Sequence, residues 1–255
     1  MSDTPVRLDV GAGEAGRAIA VLRRPGAEPG LFWMGGFRSD MTGSKARAVD
    51  AYATAHGLAC TRFDYSGHGA SGGRFEDGTI SRWLEESAAV FAASTGRQIV
   101  IGSSMGGWLA LLLAERLRAD GRVAALVLIA PAVDMTRALM WERWTKKARK
   151  ELTATGAYRQ PSDYSAEPYL ITRGLIEDGD QYLFGDRLIE VGCPVHILQG
   201  MEDTDVPWRH AQALVARLAS DDVVLSLIKD GDHRLSRPED IARLEAALDG
   251  LRGEI

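Results

Sequence analysis

The sequence predicts an α/β fold in which helices cover both faces of a mostly parallel, eight-stranded sheet. Short apolar runs alternate along most of the chain with longer segments whose apolar residues have helical spacing. Some of these runs end at glycines, as buried strands do where the chain turns sharply. Alternation of strands with helices of this length is typical of βαβ units, whose strands lie parallel.

Each strand is predicted from a short apolar run, and each helix from apolar residues at helical spacing. A Gly-Ala-Gly turn separates the first two strands, and the third is an apolar run that stops at Gly35-Gly36. The expected strands are residues 6–10, 17–22, 31–34, 58–63, 98–102, 123–130, 195–199 and 223–228. The expected helices are residues 44–56, 79–94, 105–120 and 208–218, with a last helix from Pro238.

Residues 131–192 interrupt this alternation. The stretch is too long for an ordinary connection between a helix and a strand, and it carries many aromatic residues with no clear strand. We therefore expect a single domain of residues 1–255, with a helical cap inserted at approximately residues 132–192. Such a cap would cover the carboxyl ends of the strands, where open α/β sheets bind ligands. The aromatic residues expected to line a substrate pocket there are Trp141, Trp144, Tyr169 and Tyr182.

The composition argues against several classes of function. A net charge of −5 does not supply the basic face that nucleic-acid binding requires. No apolar run approaches the ~20 residues of a membrane span, and no ligand cluster predicts a metal or an organic cofactor. The amino-terminal residues have neither a hydrophobic signal core nor a basic leader, so a cytoplasmic location is expected. Nothing in the sequence indicates an oligomeric state.

The strongest chemical signal is the segment Gly102-Ser103-Ser104-Met105-Gly106. It follows an apolar strand and opens a long apolar helix, which is the setting of a nucleophile elbow. The turn is so sharp that only glycine fits beside the nucleophile, and Gly102 and Gly106 occupy those places. Ser104 is therefore the candidate nucleophile, whereas Ser103 precedes the central position.

A serine hydroxyl needs a base to take its proton, and that base needs an acid to orient it. His233 follows the last predicted strand, as the order serine, acid, histidine requires. Asp203, in Gly200-Met201-Glu202-Asp203-Thr204-Asp205-Val206-Pro207, is favoured as the acid. Asp134, after the preceding strand, remains the alternative position for the acid.

Two backbone N–H groups must stabilise the oxyanion that forms when the serine attacks a carbonyl. One is expected from Met105, directly after the nucleophile. The other is expected from Phe37, in the turn after the third strand. Related turns commonly read His-Gly-Phe, and this chain has Gly35 in place of that histidine. The substitution leaves the N–H groups in place but removes a common anchor of the loop.

With these motifs in place, the chain resembles the α/β hydrolases, in a branch that includes a mitochondrial palmitoyl-protein thioesterase and acyl-glucuronide esterase together with bacterial relatives. The resemblance runs from Phe32 to about Leu251. The stretches that carry it are Ser39-Asp40-Met41-Thr42-Gly43-Ser44-Lys45-Ala46, Arg62-Phe63-Asp64-Tyr65-Ser66-Gly67, residues 102–109, Pro161-Ser162-Asp163-Tyr164-Ser165, Gly200-Met201 with Asp203 and Val206-Pro207-Trp208, and Asp232-His233-Arg234.

The resemblance implies a serine hydrolase with the triad Ser104, Asp203 and His233. The expected substrates are small-molecule or acyl-protein esters or thioesters, with medium, long or aryl acyl groups. Two other functions remain open: an aminopeptidase or other amidase, and a non-catalytic ligand receptor on the same fold. Fold and triad alone do not identify the acyl donor, because many activities share them.

Overall fold

The computed structural model of the protein describes residues 4–161, 167–219 and 222–254. The strands in this part of the chain are β1 (Val6–Val10), β2 (Arg17–Arg24), β3 (Ala27–Met34), β4 (Leu58–Phe63), β5 (Gln98–Ser103), β6 (Val123–Ile129), β7 (Ala157–Gln160), β8 (Tyr169–Thr172), β9 (Val195–Gly200) and β10 (Val223–Ile228). Eight of them form one sheet in the order β1-β2-β4-β3-β5-β6-β9-β10. Strand β2 is antiparallel to both neighbours and the other pairings are parallel, so the predicted sheet is confirmed.

Helices cover both faces of this sheet. They are α1 (Ser44–Ala55), α2 (Ile80–Ala92), α3 (Met105–Arg116), α4 (Lys146–Thr155), α5 (Arg173–Gly179), α6 (Trp208–Val215) and α7 (Pro238–Glu254). Helices α1 and α7 pack on one face, while α2, α3 and α6 pack on the other. Every residue of β6 is buried, as expected for a central parallel strand covered on both sides. Across the described ranges, no helix is both long and apolar enough to cross a membrane.

The segment between β6 and β9 corresponds to the predicted insertion. It contains a π-helical turn (Met135–Trp141), α4 and α5, together with a two-stranded antiparallel hairpin of β7 and β8. The sequence showed no clear strand in this stretch, but the structure has two short ones beside the helices. Each strand of the hairpin has only four residues, too few to show a clear alternation of apolar and polar side chains. Residues 162–165 of the sequence resemblance lie outside the described residues.

Asp134 anchors the two ends of this insertion to each other. Its carboxylate accepts hydrogen bonds from the backbone N–H groups of Phe184, at 2.9 Å, and Gly185, at 3.1 Å. The Arg217 guanidinium lies 3.6 Å from the same carboxylate. Asp134 is thus engaged in holding the insertion in place.

A buried ion pair fixes the loop after β4. Glu86 of α2 is fully buried, pairs with Arg17 of β2, and accepts a 2.8 Å hydrogen bond from the backbone N–H of Ser66. Glu85 also pairs with Arg17, but its side chain is 56% exposed. The two glutamates therefore offer a matched comparison of a buried and an exposed partner.

Replacing Glu86 by alanine is expected to lower the free energy of unfolding by about 3–5 kcal/mol, because Arg17 would keep a buried charge without its buried partner. Replacing Glu85 by alanine is expected to cost no more than about 1 kcal/mol, since exposed ion pairs contribute little. Urea denaturation of both variants provides the measurement. Equal losses would show that the burial of Glu86 has no energetic consequence.

Candidate active site

Ser104 lies at a strained turn between β5 and α3. Its backbone has φ 54° and ψ −118°, a left-handed region that non-glycine residues rarely occupy. A β-carbon at position 102 would lie 2.4 Å from the Gly106 carbonyl oxygen, and one at position 106 would lie 2.2 Å from that of Met34. Both positions therefore require glycine, as the sequence predicted for a nucleophile elbow.

Three predicted side chains form a continuous hydrogen-bonded line. The distance from Ser104 Oγ to His233 Nε2 is 3.0 Å, and that from His233 Nδ1 to Asp203 Oδ2 is 2.8 Å. The His233 side chain is 16% exposed, whereas that of Asp203 is fully buried. With Nδ1 donating to the carboxylate, Nε2 is the ring nitrogen that can accept the serine proton.

The Asp203 carboxylate is held on both of its oxygens. Oδ1 accepts hydrogen bonds from the backbone N–H groups of Asp205 and Val206, at 2.9 and 2.8 Å. Oδ2 accepts one from Gln199 Nε2 at 3.1 Å in addition to that from His233. Gln199 is fully buried at the end of β9, and the sequence reasoning missed it. Its only signal in the sequence is an amide side chain near the carboxyl end of a largely apolar strand.

The alternative acid and the other histidines do not join this line. Asp134 instead binds the backbone of the insertion, as described above. His210 Nε2 is 2.8 Å from the Val133 carbonyl oxygen, and His196 Nε2 is 3.0 Å from Ser226 Oγ. The geometry therefore brings together Asp203 and His233, the pair that chain order favoured.

Asp203, Asp205 and His233 are the described residues that come nearest to a metal-binding group, with ligand atoms within 4.8 Å of one another. A metal ion would have to compete for atoms that already take part in hydrogen bonds. Both Asp203 oxygens are engaged, and the two His233 nitrogens contact Asp203 and Ser104. These side-chain atoms are therefore already engaged with one another in the hydrogen-bonded line.

The predicted oxyanion donors flank Ser104. A turn over residues 36–39 closes through a 3.1 Å hydrogen bond from Ser39 N to Gly36 O. A β-carbon on Gly36 would lie 3.4 Å from that of Ser104, so this turn packs directly against the nucleophile. In the described part of the chain, the Phe37 N–H donates to no backbone acceptor, and the Met105 N–H, at the first residue of α3, has no acceptor within the helix. The donation of both N–H groups to an oxyanion remains a prediction.

A cavity of about 740 Å³ opens over Ser104 and His233. The insertion supplies its apolar wall, formed by Met135, Leu139, Met140, Trp144, Tyr169 and Ile171. Polar residues of the segment after β3, among them Lys45, form another part of the lining, the polar wall. Burial lowers the pKa of the Lys45 ammonium to about 8. The lining thus combines apolar and polar residues around the candidate nucleophile Ser104.

Two of the four predicted pocket aromatics, Trp144 and Tyr169, line this cavity, and the other two do not. Trp141 packs beside Trp144, with ring centroids 6.5 Å apart, and does not belong to the lining among the described residues. The Tyr182 hydroxyl lies 2.8 Å from Ser81 Oγ and so ties the insertion to α2. Composition alone could not separate lining rings from packing rings, because only the fold decides which way each side chain faces.

A side chain of the insertion also contacts the loop that carries Asp203. The Arg143 guanidinium donates to the backbone carbonyls of Asp205, at 2.7 Å, and Thr204, at 2.9 Å. The insertion is therefore linked to the site by hydrogen bonds as well as by apolar packing.

Comparisons with known proteins agree with this architecture. Residues 25–244 match the family described as Alpha/beta hydrolase family. The human protein named Palmitoyl-protein thioesterase ABHD10, mitochondrial, is 34% identical over 235 residues, which make up 91% of this chain and 76% of that protein.

Two solved structures extend the comparison. Mouse alpha/beta hydrolase domain-containing protein 10 superposes with a TM-score of 0.88 at 32% identity, covering 98% of this chain and 99% of that one. A protein from Agrobacterium vitis S4 superposes with a TM-score of 0.94 at 49% identity, covering 97% of this chain and 98% of that one.

These comparisons also correct the expected location. The curated relatives from human, cattle, mouse and rat are named as mitochondrial proteins, so the cytoplasmic location predicted from the sequence was wrong. That prediction depended only on the composition of the amino-terminal residues, which does not report a compartment reliably. The family match extends over most of the chain and accords with the sheet order, the elbow and the insertion. The chain belongs to the α/β-hydrolase family and is related to ABHD10.

Proposed function

We propose that this protein is a serine hydrolase that cleaves carboxylic esters or thioesters through an acyl-enzyme on Ser104. The observation that carries this proposal is the line of hydrogen bonds from Ser104 Oγ through His233 to Asp203. That line begins at a strained elbow, and its Ser104 and His233 line a cavity large enough for a small ligand. The names of the mammalian relatives, which are thioesterases, support the same class of bond.

In the first half of the reaction, Ser104 Oγ attacks the acyl carbonyl carbon while His233 Nε2 takes the hydroxyl proton. The negative charge on the carbonyl oxygen is stabilised by the N–H groups of Phe37 and Met105. Asp203 stabilises the imidazolium that has formed. When the tetrahedral intermediate collapses, the bond to the alcohol or thiol breaks and the leaving group takes the proton from His233.

The second half releases the acid. A water molecule gives a proton to His233 as its oxygen attacks the acyl-enzyme carbonyl. The ester bond to Ser104 then breaks, the serine oxygen recovers the proton from His233, and the carboxylic acid leaves. Each proton that His233 accepts is returned within the same half-reaction, so no external acid or base is required.

We further propose that residues 1–255 act as one domain with a cap at approximately residues 132–192, whose apolar wall receives the acyl group. The chain of the acyl group would then extend toward Met135, Met140 and Trp144. The alcohol, thiol or protein-borne leaving group would extend toward the polar wall. Apolar pockets with a few placed polar groups are typical of sites for such ligands.

A series of p-nitrophenyl esters tests the acyl pocket. Each additional methylene buried against the cap contributes up to ~0.8 kcal/mol. We therefore expect kcat/KM to be at least about tenfold higher for medium-chain esters than for the acetyl ester. Replacing Trp144 by alanine is expected to flatten this dependence while largely preserving acetyl-ester cleavage. Trp141→Ala is the matched control, since Trp141 is a neighbouring tryptophan outside the lining.

A flat chain-length profile in the native enzyme would reject the acyl pocket without rejecting the hydrolase. The wider proposal is tested by comparing esters, thioesters and anilides that carry the same acyl or aminoacyl group. Faster cleavage of anilides than of esters would identify an amidase. Failure of a fluorophosphonate to label Ser104, together with the absence of turnover on every substrate, would indicate a ligand receptor.

A further inference from the structure

His68 is a buried histidine that the proposed chemistry does not use. It lies in the loop after β4 and is only 4% exposed. Its Nδ1 is 3.1 Å from the Ser66 carbonyl oxygen, and its Nε2 is 3.2 Å from the backbone nitrogen of Arg38. The ring therefore connects its own loop to the turn over residues 36–39, which packs against Ser104.

These two contacts determine the state of the ring. A carbonyl oxygen can only accept, so Nδ1 carries the proton, and a backbone N–H can only donate, so Nε2 carries the lone pair. Burial lowers the pKa of His68 to about 4, which keeps the ring neutral at neutral pH. Each nitrogen consequently has one defined role, and His68 accepts the hydrogen bond from the Arg38 N–H.

That hydrogen bond bears on the N–H of Phe37. The peptide unit before the Phe37 α-carbon is held by the hydrogen bond from Ser39 N to Gly36 O. The peptide unit after it includes the Arg38 N–H, which His68 holds. Arg38 has a positive φ of 59°, a strained conformation that needs such support. With both peptide units fixed, the Phe37 N–H has one direction.

Aromatic packing immobilises the histidine itself. The centroid of its ring lies 5.2 Å from that of Phe75, 5.4 Å from Trp83 and 5.7 Å from Tyr65, at steep interplanar angles. The Phe37 ring packs on the same Phe75, with centroids 4.9 Å apart. The donor residue and its support are thus parts of one packed cluster.

We propose that His68 is a positioning residue of the oxyanion hole, which orients the Phe37 N–H through the turn over residues 36–39. This inference rests on the proposed hydrolase function. In related turns a histidine commonly occupies the position of Gly35 and anchors the turn. Here His68, in the loop after β4, holds the turn through its hydrogen bond with the Arg38 N–H. A group with this role lowers the barrier without contacting the substrate.

Two amide variants separate the roles of the ring nitrogens. In His68→Gln the longer side chain can place an acceptor near the position of Nε2, so the Arg38 N–H keeps a partner. In His68→Asn the amide reaches only the position of Nδ1, so the bond to Ser66 is retained and that to Arg38 is lost. Both variants remove the aromatic ring, which makes them matched for loss of packing.

We expect His68→Asn to lower kcat for a p-nitrophenyl ester by about 10- to 100-fold, less than the 10²–10³ for complete removal of an oxyanion donor. KM should change little, because the lost interaction forms only in the transition state. His68→Gln should retain most of kcat. A boronic acid adds to Ser104 as a tetrahedral anion, and its affinity should fall in parallel with kcat in the Asn variant alone.

Thermal denaturation of both variants provides the control for folding. Equal kcat values for the Asn and Gln variants, whatever their Tm, would overturn the positioning role, as would a loss carried by KM instead of kcat. A native enzyme without ester turnover and without fluorophosphonate labelling of Ser104 would overturn the hydrolase proposal and this one together. Native turnover with an unaffected Asn variant would overturn only the role of His68.

Discussion

Replacing Ser104 by alanine is expected to reduce kcat for an activated ester by a factor on the order of 10⁶. The variant lacks the oxygen that forms the acyl-enzyme, and His233 is left with no hydroxyl to deprotonate. The residual rate comes from substrate binding and the N–H groups of the oxyanion hole. Steady-state hydrolysis of a p-nitrophenyl ester measures the loss, and mass spectrometry of an enzyme treated with fluorophosphonate locates the adduct.

Ser103→Ala is the matched control, because Ser103 is the adjacent serine and, unlike the half-buried Ser104, is buried. It is expected to keep kcat within about tenfold of the native value, a change in barrier of no more than about 1.4 kcal/mol. Adding His233→Ala to Ser104→Ala should cost little more, since residues that act as one unit do not contribute additively. Near-native turnover in Ser104→Ala would show that Ser104 is not the nucleophile.

The elbow could be predicted from the sequence because its constraint is local. Gly102 and Gly106 are fixed by backbone atoms only a few residues away or on the adjoining strand, so the steric requirement leaves a short pattern. His233 and Asp203 could be placed because both follow strands of the same parallel sheet. The carboxyl ends of such strands lie along one edge, which brings together residues distant in sequence.

The supporting residues could not be predicted because their roles depend on contacts across the fold. Gln199 reads only as a polar residue near the end of a strand until Asp203 lies 3.1 Å away. His68 reads only as part of a glycine-rich loop until the turn over residues 36–39 packs against it. The same limit applies to Trp141 and Tyr182. Their aromatic side chains predicted pocket residues, but in the fold Trp141 packs on Trp144 and Tyr182 bonds to Ser81.

Replacing Asp203 by asparagine is expected to lower kcat by about 10⁴-fold while the fold is retained. The two backbone N–H groups of Asp205 and Val206 will select the amide oxygen at the position of Oδ1. The amide nitrogen must then occupy the position of Oδ2, where it meets the Nε2 donor of Gln199 and the Nδ1 of His233. Two donors cannot hydrogen-bond to each other, so the imidazole is driven to the tautomer with its proton on Nε2.

In that tautomer Nε2 cannot accept the proton of Ser104, and the loss falls on kcat with little effect on Tm. The matched controls are Asp134→Asn and Asp205→Asn, both expected to change kcat by less than about tenfold, or roughly 1.4 kcal/mol. Asp134 binds the backbone N–H groups of Phe184 and Gly185, so its variant should lose stability instead. A larger fall in kcat for Asp134→Asn than for Asp203→Asn would transfer the role of the acid to β6, because only the acid that orients the imidazole can control its tautomer.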